Sequence, residues 1–312
     1  MTKTLQLITL AFVLLLSACS SLPDSGKNGS NQLVAPAGDT IPFRLTDANN
    51  MSIRALLNDR DTVDLMFHTA AGSITLTKTA TARLTSVDFT ERDTVSSWGG
   101  SNESRSSREN KLRIGKSAWT KLPIWENDNS GPETDGKFGP HLFADQVILF
   151  DFDRQHLIVY DSLPVIDPAY QRAEADFEDD FIFLSGQLQL GDTALSNRFL
   201  LHSGYGGTLL LDDVFVQEHE LSTALEIIST SILKDSYGNE LKTQKAILPG
   251  FQMGALKFSE LPVGFFEGAI GRQKMSVLGG GLLKRFNIIL DLRQKAVYLK
   301  PNSLTDRAFP VE

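Results

Sequence analysis

Cys19 is the only cysteine among the 312 residues. No internal disulfide can form, and no paired-cysteine metal spacing exists. No HExxH helix motif is present either. Basic runs are absent. The chain holds 30 Lys and Arg against 38 Asp and Glu, for a formal net charge of −8. That balance gives nucleic acid and anionic lipid no electrostatic reason to bind. Long helical periodicity is nearly absent, which argues against a helical bundle. The pattern calls for no cofactor.

One apolar run stands out, from Leu5 to Leu16, and it is short for a membrane span. Lys3 precedes it and "LLSAC" closes it. This reads as a secretory signal peptide over residues 1–18. "LLSAC" resembles a bacterial lipobox, in which the protein is cut before a cysteine that then carries lipid. A lone thiol in an exported chain is better explained by acylation of Cys19 than by chance. The other reading is an ordinary peptidase site with an incidental cysteine. Residues 19–38 are rich in Ser, Gly, Asn and Pro and read as a flexible tether. The expectation is a bacterial cell-envelope protein, lipid-anchored on the periplasmic side or the cell surface.

Beyond the tether, short apolar or alternating runs are separated by turn residues. Ile41–Leu45, Ile53–Leu57, Val63–Phe67 and Ile74–Thr77 suit strands. A short helix is expected at "SELPVGFFEGAI". An internal repeat organises the rest. "KFGPHLFADQVILFDFDRQHLIVYDSLP" matches "VLGGGLLKRFNIILDLRQKAVYLKPN". Gly139 aligns with Gly279, Leu142 with Leu282, Phe143 with Leu283, Asp151 with Asp291 and Val159 with Leu299. Upstream, "FHTA" at His68 echoes "LHSG" at His202, and "TIPFRLTDANNMSIRALL" has its counterpart in "FIFLSGQLQLGDTALSNRF". Two lobes follow, at 39–164 and 180–303, with a polar linker at 165–179 and a tail at 304–312. Two such copies place equivalent residues near one pseudo-two-fold axis.

The order strand, hydroxyl-containing loop, strand, hairpin, apolar-Gly motif, short helix, strand pair resembles that of aspartic proteases, both retropepsin-like and pepsin-like. "MSVLGGGLLKRFNIILDLRQKAVYLKP" is similar to the closing segment of bacterial retropepsin-like domains, and "FLLHSGYGGTLLLDD" to their Asp-Thr-Gly loop. The resemblance spans residues 40–302. It implies an all-β, bilobed fold with about six strands per lobe around a pseudo-two-fold cleft. It also implies that His68 and His202 stand at the two catalytic Asp positions. Thr69 and Ser203 keep the hydroxyl type that joins the two loops in the family, and Ala70 replaces the first loop's Gly.

The family's chemistry uses two carboxylates about 3 Å apart sharing one proton. Two imidazoles are larger, and like charge on close rings lowers their pKa values. Asp64, Asp212 and Asp213 are near in sequence, but none is placed to substitute. The leading reading is therefore a catalytically degenerate module that binds an extended peptide or protein segment. An aspartic-type endopeptidase with an atypical centre stays open, with a His and His⁺ pair as base and acid. A His-lined metal or ligand cleft also stays open, with His141 as a third ligand. His156 and His219 read as surface residues. "WGGSNESRSSREN" reads either as a polar flap with Trp98 at its edge or as a solvated loop; Trp125 lies near the first Gly motif and the same cleft. In the second lobe a hairpin turns at Tyr237-Gly238-Asn239.

Overall fold

A computed structural model describes residues 38–97, 100–266 and 273–310. The expected signal peptide at 1–18, Cys19, almost all of the tether and Trp98 lie outside the described residues.

The first lobe runs through β1 (Asp39–Leu45), β2 (Met51–Leu57), β3 (Asp61–Phe67), β4 (Ile74–Thr77), β5 (Glu91–Ser97), β6 (Gly100–Ile114), β7 (Ser117–Asn127), β8 (Gly136–Phe138), β9 (Val147–Asp151) and β10 (His156–Tyr160). Two short strands follow, β11 (Gln171–Arg172) and β12 (Ala175–Glu178). The second lobe runs through β13 (Phe181–Leu190), β14 (Thr193–His202), β15 (Leu209–Leu210), β16 (Ile227–Lys234), β17 (Glu240–Met253), β18 (Leu256–Phe266), β19 (Ser276–Gly279), β20 (Phe286–Asp291) and β21 (Ala296–Pro301). The helices described are single turns or little more, such as Pro140–Phe143, Asp213–Glu218 and Gly280–Leu283.

Side-chain alternation explains the outer strands. In β1, Ile41 and Phe43 are buried while Pro42 and Arg44 face outward. β20 is buried at every residue, as befits a central strand covered on both faces. Its neighbours are β21 and β9, so strands of the two lobes pair directly. Leu149 of β9 faces Ile289 of β20, and the register runs symmetrically about that pair. Both lie ten residues past their motif glycines, Gly139 and Gly279. The pseudo-two-fold axis therefore passes between Leu149 and Ile289. The turns beyond match as well: Arg154 N–H donates to Asp151 Oδ1 (3.0 Å) and Gln294 N–H to Asp291 Oδ1 (2.9 Å).

Four sequence expectations change. Segment 165–179 is not a bare linker: β11 pairs with β21, and β12 pairs with β13. β12 also corrects the upstream repeat, because strands leading into the two histidines must correspond. β3 matches β14, β2 matches β13 and β1 matches β12, one strand away from the expected alignment. Only four residues long, β12 offers too little periodicity to be seen. "SELPVGFF" is strand β18, held between β17 and β15, and not a helix. Most of "WGGSNESRSSREN" is strand β6. Its polar face is buried and bonded, with Ser104 Oγ donating to Glu126 O (2.7 Å) and Asn110 Nδ2 to Leu122 O (3.1 Å). Composition suggested a loop because strand interiors are seldom satisfied by Ser and Asn.

The tail is fastened. Arg285, 2% exposed, donates to the carbonyls of Leu304 (2.7 Å), Thr305 (3.1 Å) and Ala308 (3.2 Å), and also to Arg307 O. Its guanidinium lies 3.6 Å from the Phe309 ring centre. Removing residues 304–312 leaves this buried cation without acceptors. The expected cost is roughly 3–5 kcal/mol, read as a lower denaturation midpoint and largely recovered when Arg285→Met is added.

Candidate functional site

Each histidine closes a strand that lies beside an apolar-Gly strand. β3 runs parallel to β8, pairing Phe67 with Phe138, and β14 runs parallel to β19, pairing His202 with Gly279. The glycines let the histidine loops come close. A Cβ on Gly139 would stand 1.8 Å from Ala71 O, and one on Gly279 would stand 2.4 Å from Gly207 O. His68 N–H donates to Phe138 O at 2.8 Å, which fixes the first loop on this motif.

The two loops meet through their hydroxyl residues. Thr69 Oγ1 donates to Leu201 O (2.5 Å) and accepts from Ser203 N–H (3.0 Å). Ser203 Oγ donates to Phe67 O (2.6 Å) and accepts from Thr69 N–H (3.0 Å). The four bonds are reciprocal across the axis, and both residues are buried. They fix the ring centres of His68 and His202 4.4 Å apart, inclined at 62°. The structure thus brings His68, Thr69, His202 and Ser203 together.

The rings share one tautomer. Ala70 N–H donates to His68 Nδ1 (3.1 Å), and Tyr205 N–H donates to His202 Nδ1 (3.0 Å). Each Nδ1 is an acceptor, so each neutral ring carries its proton on Nε2. Burial pushes His68 well below its ordinary pKa, with help from the His202 and Lys137 charges. Burial also lowers His202, to about 4, and Lys137 adds to this. Both rings are neutral at pH 7. The ring of His68 lies over Gly204, where a Cβ would come within 2.4 Å of Nε2. That explains why the second loop keeps its glycine while the first has Ala70.

Lys137 is the buried cleft residue that sequence reasoning passed over. It sits in β8 beside Met66, and its Nζ donates to Ser236 Oγ at 2.5 Å. Burial brings it down to about 8, against an opposing pull from Asp235. The repeat held a signal: by the Gly139 and Gly279 alignment, Lys137 corresponds to the apolar Val277.

The other residues considered are elsewhere or occupied. Asp212 caps a helix by accepting from Phe215 N–H (2.8 Å), and Asp213 accepts from Gln273 N–H (3.0 Å). Asp64 pairs with Arg54 (3.2 Å). His141 Nδ1 lies 3.2 Å from Ala71 O, and burial lowers its pKa. Among the described residues no three His, Cys, Asp or Glu side chains converge as metal ligands would. His156 opens β10, and His219 caps the helix Asp213–Glu218.

Above the histidines opens a cleft of about 1430 Å³. Asp93, Thr94 and Val95 of β5 line it from one lobe; Ile232, Leu233 and Lys234 of β16 line it from the other. These are the terminal strands of their sheets. Trp125 also lines the cleft, with its Nε1–H on Asp93 Oδ2 (2.7 Å). The turn between β16 and β17 docks on the first lobe, where Ser236 O accepts from Asp128 N–H (2.9 Å) and Asn129 N–H (3.1 Å).

No protein-family model matches the chain, and no curated protein matches it. Among solved structures it is similar to an aspartic proteinase from Irpex lacteus, with a TM-score of 0.58 and 13% identity. The match covers 88% of this chain and 100% of that one. The fold is thus the all-β, bilobed, pepsin-like one.

Two measurements test the centre. Thr69→Ala removes one buried donor and strands one buried N–H, for an expected loss of roughly 2–4 kcal/mol. A double-mutant cycle with Ser203→Ala is expected to show coupling of about 1 kcal/mol or more. The second measurement is pH. Both histidines titrate lower in the folded chain than their ordinary 6.5. Their contribution to stability is complete above that pH and shrinks as pH falls, because only the unfolded chain takes up protons. For His202 the loss runs from 6.5 to about 4. It amounts to at most about 3 kcal/mol. Across that window the wild type should lose stability more steeply than a His68→Gln/His202→Gln variant.

Proposed function

We propose that this protein captures an extended peptide or protein segment in its cleft and does not hydrolyse it. The observation carrying this reading is the tautomer of the two histidines. Hydrolysis by the paired-carboxylate route needs one group to take a proton from water while another donates to the carbonyl. Here each Nδ1 lone pair is spent on a backbone N–H, and each Nε2 bears the proton. Two neutral donors remain, with no base between them. Capture itself is supported by β5 and β16, which end their sheets among the described residues and line the cleft, where an extended segment could be added as a further strand.

The lipobox-like "LLSAC" supports anchoring through Cys19 to a membrane of the bacterial cell envelope, with the lobes held off the surface by residues 20–38. Nucleic acid is not a partner on this reading, given the acidic balance of the chain.

The capture test is a library of blocked peptides incubated with the protein from acidic to neutral pH, with binding read by fluorescence and cleavage by mass spectrometry. Binding without product is expected. Thr94→Pro, which spoils the β5 edge, should weaken binding about tenfold with an unchanged circular dichroism spectrum. Cleavage that disappears in His202→Ala would overturn the reading. For the anchor, Cys19→Ser is expected to move the protein from the membrane pellet to the soluble fraction of lysed cells.

A further inference from the structure

We infer that the centre of the cleft is a carboxylate-binding site, in which Lys137 Nζ and the Nε2–H groups of His68 and His202 receive an acidic group of the captured peptide. The inference rests on the capture reading for its ligand.

Lys137 is an ammonium held in the floor of the cleft. Among the described residues its only hydrogen bond is to Ser236 Oγ, and no carboxylate forms an ion pair with it. The carboxylate of Asp235, next in the chain to Ser236, is engaged by its own turn: it accepts from Tyr237 N–H (2.9 Å), Asn239 N–H (2.9 Å) and Asn239 Nδ2 (2.9 Å). Asp93, across the cleft, is held by Arg108 (2.7 Å) and Trp125 (2.7 Å). A cation set this deep, with the Asp235 charge acting on it but no carboxylate bonded to it, is costly, and the cost is relieved when an anion arrives.

The histidines complete the pocket. All three residues line the one cleft, Lys137 pairs across β8 and β3 with Met66, two residues before His68, and its charge acts on both rings. Their Nε2–H groups have no acceptor among the described residues, and neither nitrogen is sealed off from the cleft. Three donors and no acceptor suit a carboxylate, whose two oxygens take several hydrogen bonds. With aspartates at both histidine positions the same pocket would repel that group. An internal Asp or Glu and a chain terminus present the same chemistry.

The test uses the full-length protein in detergent and blocked octapeptides of alternating Val and Thr. One central residue is Glu, Gln or Lys, and the C-terminus is amide or free acid. At least tenfold tighter binding is expected for the Glu peptide over its Gln twin, or for the free acid over the amide. Whichever pair shows the preference identifies the source of the carboxylate. Lys137→Met should abolish the preference. Lys137→Val, which copies the second-lobe residue Val277, is the check on folding. Equal affinity for all peptides overturns the carboxylate site and leaves strand capture standing. A second readout does not depend on capture. N-acetylglycine, but not N-acetylglycinamide, should move the NMR signals of Lys137 Nζ and both Nε2–H groups. If it does so while no peptide binds, the carboxylate site stands and the capture reading falls. If the acid moves none of them, the site is overturned.

Discussion

Everything at the centre of this molecule depends on four hydrogen bonds that the hydroxyls of Thr69 and Ser203 make across the axis. Each hydroxyl reaches across the axis to the carbonyl just before the opposite histidine and accepts the N–H just after it. The bonds are short, buried and mutually required, since losing one partner strands a polar group where water cannot replace it. They set the separation of the two rings, and the loops in turn set the tautomer. Stability and site geometry are therefore the same constraint here, and a change at either hydroxyl is felt by both.

The histidines invert the electrostatics that such a scaffold serves when it carries paired carboxylates. A carboxylate pair is an acceptor-rich site that holds a proton. Two imidazoles bonded through Nδ1 form a donor-rich site, and the nearby ammonium of Lys137 keeps further protons away. The loops accommodate the larger rings with small adjustments. The Cδ2–Nε2 edge of His68 lies against Gly204, and the backbone N–H groups of the loops find acceptors in the ring nitrogens. Hydrogen-bond satisfaction is preserved while the available chemistry changes.

Much of this was legible in the residues. Gly139 and Gly279 carry no side chain because carbonyls of the histidine loops occupy that space, and this need made the repeat visible. The meeting of His68 with His202 followed from the repeat and the hydroxyls beside them. Other features were not legible. β12 is too short to show periodicity, and β6 hides a buried face made of serines and an asparagine. The bonding of both Nδ1 atoms depends on loop conformation, which no spacing reveals. Lys137 was in view but looked like an ordinary polar residue, because its burial arises from a second-lobe turn about a hundred residues away, at Ser236.

The departure from symmetry at Lys137 has a directional consequence. A cleft built on a two-fold repeat meets a strand laid along it with nearly the same surface in either orientation. Lys137 opposite Val277 ends that equivalence, and the turn at Ser236 holds the lysine at one of the two related positions. The two ends of the groove become distinguishable to whatever enters. The repeat supplies the shape of the groove, and one lysine gives it a head and a tail.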